Sequence, residues 1–123
     1  MAYEIDHDRR RAEFVAGPGF SGTALCKAVA AMFDGDPRSA SYDLIFDVRA
    51  SRTGVELADI QIVSEAYHRQ TREAGVKISC FVSNDTNYHL LTTTMDHLFD
   101  DRSNKVFRTV EAARRYLDER RAT

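Results

Sequence analysis

Two short segments constrain the fold of this chain most, because each would form a strand with two apolar faces. They are Tyr42–Val48, which contains the unbroken apolar run Leu44–Phe46, and Val76–Val82. Strands of this composition are covered on both faces and are typically central and parallel, so they need a helical crossover between them. The intervening segment Glu56–Glu73 carries one apolar stripe at helical spacing, and Gly75 follows as a stop signal. The sequence therefore predicts a strand–helix–strand unit.

The remaining segments extend this unit in both directions. Alternating residues in Tyr3–His7 and Ala12–Ala16 predict an N-terminal hairpin, and Lys105–Phe107 predicts a short strand. Apolar residues three and four apart predict helices over 24–33, over 91–99 and after Thr109, the expected N-cap of the last helix. The prediction is a single α/β domain over residues 1–123 in the order ββαβαβαβα. Its central sheet is mostly parallel with an antiparallel first strand, and helices pack on it.

Charge and composition exclude several classes of protein. Seventeen basic residues against 19 acidic ones give a net charge of -2, which is too balanced for a nucleic-acid partner. No apolar stretch is long enough for membrane insertion, and the polar start lacks a secretory signal, so we expect a cytoplasmic protein. Cys26 and Cys80 lie in apolar segments without metal-ligand spacing, which predicts reduced, inert core thiols.

Two polar loops should lie side by side at the functional edge of the sheet. Segment 47–54 follows the first buried strand, and segment 83–87 follows the second. In open α/β sheets the carboxyl ends of parallel strands and the helix N-termini meet at one edge, where ligands bind. We therefore expect a partner or ligand site there, formed by residues of both loops: Asp47, Arg49, Arg52, Gly54, Ser83, Asn84 and Asp85.

Two hydroxyl residues of the first loop have alternative interpretations. Thr53 and Glu56 are spaced as a capping box, in which each side chain satisfies the other residue's backbone amide. A phosphate on Ser51 or Thr53, or a bound anion, would instead lie at a helix N-terminus, where Arg49 and Arg52 could pair with it. Capping is the simpler interpretation, and both remain open.

The element order and two segments resemble the STAS family, specifically its SpoIIAA-like branch. These segments are Leu44–Asp47 with the following Ser51–Gly54, and the closing stretch Val106–Leu117. The resemblance covers nearly the whole chain and implies a non-enzymatic regulatory module similar to anti-sigma-factor antagonists. In those proteins a partner kinase phosphorylates a hydroxyl residue of the corresponding loop, which implies Ser51 or Thr53 here. The partner would be recognised through the 47–54 loop and the following helix.

The same resemblance implies an alternative function. The branch is grouped with SEC14-type lipid-binding domains, so this chain would carry or sense a small apolar or lipid-like ligand. We expect the pocket beside the third helix, which contains the unusual run Thr92–Thr94. A protein partner, a small apolar ligand and a second copy of the chain are the partners left open.

The sequence contains no complete set of residues for catalysis or for metal binding. Asp43 and Asp47 lie at opposite ends of one predicted strand, so they cannot share a substrate, and Asp47 is better placed to accept backbone amides. His97 and Asp100 supply two metal ligands where three or four are needed. The sequence predicts no enzyme, no metal and no cofactor.

Two further features have more than one interpretation. The basic run Arg9–Arg11 is either a solvated turn or a docking patch for an acidic partner. The apolar stripe from Phe20 to Phe33 on the first helix either packs in the core or lines a ligand groove.

Overall fold

A five-stranded sheet forms the centre of the structure, a computed structural model that describes residues 2–51 and 54–121. Its strands are β1 (Ala2–Asp6), β2 (Arg11–Val15), β3 (Asp43–Asp47), β4 (Lys77–Val82) and β5 (Arg102–Phe107). The spatial order follows the sequence, β1-β2-β3-β4-β5. The β1–β2 pair is antiparallel and the other three pairs are parallel, which confirms the predicted sheet.

In the described part of the chain, four helices complete the predicted order. They are α1 (Gly22–Gly35), α2 (Leu57–His68), α3 (Asn87–Leu98) and α4 (Val110–Arg121), and a short 3₁₀ helix, Pro37–Ser41, precedes β3. Three parallel crossovers that step in one direction across a sheet put their helices on one face, because such connections share one hand. Helices α1, α2 and α3 accordingly pack on one face, and α4 packs on the other. Among the described residues no helix has both the length and the apolar character needed to cross a bilayer.

Aromatic rings form a ladder across the face that carries three helices. Tyr3, Phe14, Phe46 and Phe81 stack in sequence along β1 to β4, with ring centroids 4.9, 5.3 and 5.1 Å apart. Tyr88 of α3 extends the ladder, 5.9 Å from Phe81. Such aromatic contacts add to the stabilisation from apolar burial, so this face holds the main core.

A smaller core lies under α4. It contains Ile45, Ile78, Cys80 and Val82 of the sheet, packed against Ala113 and Leu117 of the helix. Burial raises the pKa of the thiols of both Cys26 and Cys80 to about 12, so they are protonated near neutral pH. Both cysteines are free and buried, as predicted.

Three element boundaries lie three or more residues from the predicted ones. Helix α2 ends at His68 and not at Glu73, because the guanidinium of Arg72 folds back onto the carbonyl of Tyr67, 3.0 Å away. Helix α3 begins four residues before Leu91. Strand β5 begins at Arg102, three residues early, because its first core-facing residues are polar and give no apolar signal.

The basic run Arg9–Arg11 is not a uniform solvated turn. Arg11 is buried as the first residue of β2, and its Nη2 donates to Asp118 of α4 at 2.7 Å. Arg9 pairs with Asp6 in the turn, and Arg10 pairs with Glu73. The run therefore joins β2 to α4 and to the segment after α2.

Asp101 is the hub of a charged cluster at the amino edge of the sheet. Its carboxylate accepts hydrogen bonds from the Tyr67 hydroxyl at 2.7 Å, Arg72 Nε at 2.8 Å and Lys77 Nζ at 3.2 Å. Burial opposes its ionisation, but these three hydrogen bonds hold the pKa of Asp101 well below its usual value. The cluster joins α2, β4 and the start of β5.

We expect Asp101→Asn to lower the free energy of unfolding by about 2 kcal/mol at pH 7, because Lys77 then loses its buried counter-charge. A depressed folded pKa contributes stability above the unfolded pKa, near 3.8, and the contribution is lost as the pH falls through the folded value. The difference between the proteins should therefore shrink below about pH 4. Urea denaturation at several pH values measures both effects.

Asp100→Asn is the matched control, because Asp100 is the exposed neighbour of Asp101. It should change the free energy of unfolding by less than about 0.5 kcal/mol. Equal effects of the two substitutions would contradict the role of Asp101.

Candidate functional site

The two predicted loops lie side by side at the carboxyl edge of the sheet. Strands β3 and β4 are parallel neighbours, and their last residues, Asp47 and Val82, pair directly. The ladder continues one step further, where the Val48 amide donates to the Val82 carbonyl at 3.1 Å. The segments that follow the two strands therefore leave the sheet together, as predicted.

A surface cleft of about 310 Å³ separates these segments, and we call it the carboxyl-edge cleft. Its lining contains Val48, Arg49, Ser51, Gly54, Ser83, Asn84, Asp85 and Tyr88. Six of these were predicted as site residues from the sequence. Two other predicted residues, Arg52 and Thr53, lie outside the described residues. The described lining offers hydrogen-bonding groups without a histidine, cysteine or lysine.

Asp47 holds the first loop in place through hydrogen bonds with Arg49. Its carboxylate accepts from Arg49 Nε at 3.0 Å and Nη2 at 2.9 Å, and from the Arg49 amide at 3.3 Å. The side-chain hydrogen bonds from Arg49 lower the pKa of Asp47. Asp47 thus accepts a loop amide as predicted, and Asp43 lies at the opposite end of β3. The Arg49 guanidinium is already paired, so an anion in the cleft would compete with Asp47 for it.

Ser51 ties the first loop to the segment before α1. Its hydroxyl donates to the Phe20 carbonyl at 2.8 Å, and its amide donates to the Val48 carbonyl at 3.2 Å. The Ser51 hydroxyl therefore has a structural role in the loop.

The N-cap of α2 is Glu56 and not Thr53. Glu56 forms a capping box with Asp59, whose carboxylate accepts from the Glu56 amide at 3.2 Å. Asp59 also accepts from the Thr23 hydroxyl of α1 at 2.8 Å. Asp59 holds the first turn of α2 against α1, so the helix begins three residues later than the predicted capping box requires.

The second loop forms its own side-chain turn. The Ser83 hydroxyl accepts from the Asp85 amide at 3.0 Å, and the Asp85 carboxylate accepts from the Asn87 amide at 2.9 Å. This turn starts α3 at Asn87, while Asn84 and Asp85 remain exposed. The loop is thereby fixed with two polar side chains directed to solvent.

A second feature, a cavity of about 60 Å³, lies between the sheet and helices α1 to α3. We call it the core cavity. Its walls are nearly all apolar and include Leu25, Val29 and Phe33 of α1 and Leu91 and Met95 of α3. The apolar stripe of α1 thus belongs both to the core and to a cavity wall. The core cavity lies beside the third helix, where an apolar ligand pocket is predicted, but Thr93 and Thr94 are exposed and do not line it.

Arg102 is the charged residue in the wall of the core cavity. Its guanidinium donates through Nη2 to the carbonyls of Ala40 at 3.0 Å and Tyr42 at 2.6 Å, and through Nη1 to the Ser79 hydroxyl at 3.2 Å. Its Nε is buried and has no hydrogen-bond partner among the described residues. Burial lowers the pKa of Arg102, yet a guanidinium keeps its charge in proteins.

Sequence reasoning missed Arg102. The residue follows Asp100 and Asp101, so it reads as part of a polar helix end. The available signal is the period of two in Arg102, Asn104 and Val106, which puts these side chains on one face of a strand. Because two of the three are polar, apolar periodicity does not detect them.

Two of the acidic residues around His97, Asp96 and Asp101, have hydrogen-bond partners within the fold. Asp96 accepts from the amide of Asn104 at 3.0 Å and from its side chain at 2.8 Å, and Asp101 belongs to the charged cluster. Within the described ranges no group of three or more potential ligands could hold a metal ion.

Searches against protein-family models, curated proteins and solved structures found no match for this chain.

Gly22 sets the distance between α1 and the segment that enters α2. A Cβ on Gly22 would lie 2.5 Å from the Gly54 carbonyl oxygen and 2.9 Å from the Val55 Cα. These are backbone atoms and cannot move independently. We expect Gly22→Ala to lower the free energy of unfolding by about 2 kcal/mol, measured by urea denaturation.

Gly35→Ala provides the control at the other end of α1, where an added Cβ meets no atom within 4 Å. It should leave stability unchanged or raise it by up to about 1 kcal/mol. If Gly22→Ala were as harmless as this control, the close contact with Gly54 would have no energetic consequence.

Proposed function

We propose that this protein is a non-enzymatic regulatory module that recognises a protein partner at the carboxyl edge of its sheet. The docking surface comprises the carboxyl-edge cleft and the first turns of α2 and α3. One observation carries the proposal: Leu57 of α2 is 54% exposed and Leu90 of α3 is 74% exposed, both on helices that begin at this edge. Contiguous exposed apolar surface rimmed by polar residues is typical of protein interfaces.

The polar groups of the cleft suit recognition better than chemistry. Asn84 and Asp85 are exposed and held by the turn at Ser83, so they present hydrogen-bonding groups in fixed positions. Arg49 and Asp47 are paired with each other. Polar groups held in fixed positions favour binding of a folded protein surface, because little side-chain freedom is lost on association.

The resemblance to the STAS family supports the same location. Anti-sigma-factor antagonists of that family use the loop that corresponds to 47–54 here. The resemblance and the exposed leucines are independent reasons for placing the partner at this edge.

Leu57→Asp should abolish partner binding while leaving the fold intact, because an exposed apolar anchor is replaced by a charge. Affinity purification from the host lysate with quantitative mass spectrometry measures the loss. Val76→Asp is the matched control, since Val76 is also 54% exposed and precedes β4 at the opposite edge. A protein retained by the wild type and the Val76 variant but lost from the Leu57 variant supports the proposal. If no retained protein depends on Leu57, the docking surface is wrong.

The regulated form of this proposal adds phosphorylation of Ser51 or Thr53. A phosphate on Ser51 would remove the proton that its hydroxyl donates to the Phe20 carbonyl and would add negative charge beside Asp85 across the cleft. We expect this to release the loop and to weaken partner binding. Incubation with host lysate and ATP, followed by phosphopeptide mass spectrometry, tests it. If both residues stay unmodified, regulation by phosphorylation is excluded. The Leu57 variant then tests the docking surface separately.

A second candidate function is the carriage or sensing of a small ligand, and the core cavity favours it. Its wall is apolar, as the walls of most small-molecule sites are. The volume of about 60 Å³ exceeds what one water needs and is smaller than the engineered cavity of about 150 Å³ that binds benzene. A bound molecule would therefore be small.

A further inference from the structure

The two edges of the sheet differ in how their outward backbone groups are satisfied. At the β5 edge, the Asp101 carbonyl accepts from β4, so Arg102 and Asn104 direct their amides outward. The Arg102 amide donates to the Phe99 carbonyl at 3.0 Å. The Asn104 amide donates to the Asp96 carboxylate of α3, also at 3.0 Å. Helix α3 and the residue that follows it thus satisfy both outward amides.

The outer edge of β1 has no such cover. Ala16, which follows β2, donates its amide to the Asp47 carbonyl of β3 at 3.0 Å, so the even-numbered residues of β2 direct their backbone groups to β3. The odd-numbered residues of β2 face β1, where they pair with its even-numbered residues. Tyr3 and Ile5 therefore direct their amides and carbonyls outward. Within the described chain, no backbone or side-chain group hydrogen-bonds to these four groups.

The side chains of β1 separate by face. Tyr3 is the outer end of the aromatic ladder and is 46% exposed, and Ile5 packs against the main core. Glu4 and Asp6 lie on the other face, where they line a cleft of about 380 Å³ together with Arg114 of α4. A strand added at this edge would meet apolar side chains on one face and carboxylates on the other.

Glu4 is the carboxylate of this face that is left without a partner. Asp6 pairs with Arg9, and Glu13 pairs with Arg114. Glu4 is exposed and has no hydrogen bond or ion pair within the described residues. A basic residue opposite Glu4 on a neighbouring strand would form a favourable cross-strand pair with it.

The same charge disfavours a second copy of this chain as the neighbour. Two antiparallel β1 strands satisfy the outward groups of both Tyr3 and Ile5 only when Tyr3 of each lies opposite Ile5 of the other. That register puts Glu4 directly opposite Glu4, and like charges in this position are destabilising. The charge pattern therefore favours a partner strand that carries a basic residue at this point.

We propose that β1 binds an extended segment of a partner protein in which basic and apolar residues alternate, and that this segment adds a sixth strand to the sheet. Backbone hydrogen bonds to Tyr3 and Ile5 supply the affinity, as in other cases of strand addition. A basic residue of the segment pairs with Glu4, and its apolar neighbours lie against Tyr3 and Ile5. This site is separate from the docking surface at the carboxyl edge of the sheet, so Leu57→Asp should leave it unchanged.

The test uses a short peptide in which lysine and valine alternate, and a control peptide with glutamate in place of lysine. NMR-detected hydrogen exchange follows single amides of the protein. The lysine peptide should slow exchange of the Tyr3 and Ile5 amides in a saturable way, because both gain an acceptor. The Glu4 amide already belongs to the β1–β2 ladder and should change less. The glutamate peptide should bind about tenfold more weakly, because an attractive pair becomes a repulsive one.

Two substitutions at Tyr3 separate the backbone from the ring. Tyr3→Pro removes the outward amide, and proline is tolerated on an edge strand where the amide faces solvent. Tyr3→Ala removes the same ring but keeps the amide, so it is the matched control. The proline variant should bind the lysine peptide about tenfold more weakly than the alanine variant, because it lacks one hydrogen bond. Circular dichroism verifies that both variants are folded.

A charge reversal tests the choice of partner. Glu4→Lys should reverse the preference, so that the glutamate peptide binds more tightly than the lysine peptide. Glu65→Lys is the control, because Glu65 is also exposed but lies on α2, and it should preserve the wild-type preference.

Four results would overturn the proposal in distinguishable ways. Unchanged exchange of the Tyr3 and Ile5 amides with the lysine peptide would exclude β1 as a docking edge. Equal binding of the two peptides would remove the role of Glu4, and equal binding by the two Tyr3 variants would remove that of the outward amide. Protection of these amides that rises with protein concentration in the absence of peptide would show that a second copy occupies the edge.

Discussion

Placement of all three crossover helices on one side of the sheet determines how the two faces of this protein differ. Because β2 to β5 follow one another in space, α1, α2 and α3 must share a face, and α4 alone covers the other. One helix covers only part of a five-stranded sheet. On the α4 side, β2 is held to the helix by ion pairs, Arg114 with Glu13 and Arg11 with Asp118.

On the face that carries α1, α2 and α3, the aromatic packing stops at β5. The aromatic ladder runs from β1 to β4, but β5 contributes Arg102 and Asn104 to the face where the earlier strands contribute rings. Phe46 and Phe81, at the end of the ladder, line the core cavity together with those two polar residues. The cavity is therefore located where aromatic packing gives way to polar groups, under α3.

The sequence predicted the fold well because its signals are local. Strands β3 and β4 are apolar on both faces, α4 carries a complete pattern with its cap, and the Thr109 hydroxyl accepts from the Ala112 amide at 3.1 Å as expected. Those strands also predicted which loops would meet, because carboxyl ends of parallel strands share an edge.

The two ends of α2 and the role of Arg102 depend on contacts between residues distant in sequence. Arg72 ends α2 through contacts at Tyr67 and Asp101, and Asp59 takes part in the α2 cap while bonded to Thr23 of another helix. Neither contact leaves a periodic pattern in the chain. Arg102 shows the limit most clearly, since its partners Ala40 and Tyr42 lie about 60 positions earlier.

The two ends of the Arg102 guanidinium group differ in their hydrogen bonding. Its Nη atoms satisfy the carbonyls of Ala40 and Tyr42, which would otherwise be buried acceptors at the end of the 3₁₀ helix. That role accounts for the guanidinium tip but not for the unpaired Nε. An apolar side chain of similar volume would avoid the desolvation penalty but would leave both carbonyls without a donor. The hydrogen bonds to Ala40 and Tyr42 therefore offset part of the cost of burying the charge, and the unpaired Nε adds to that cost.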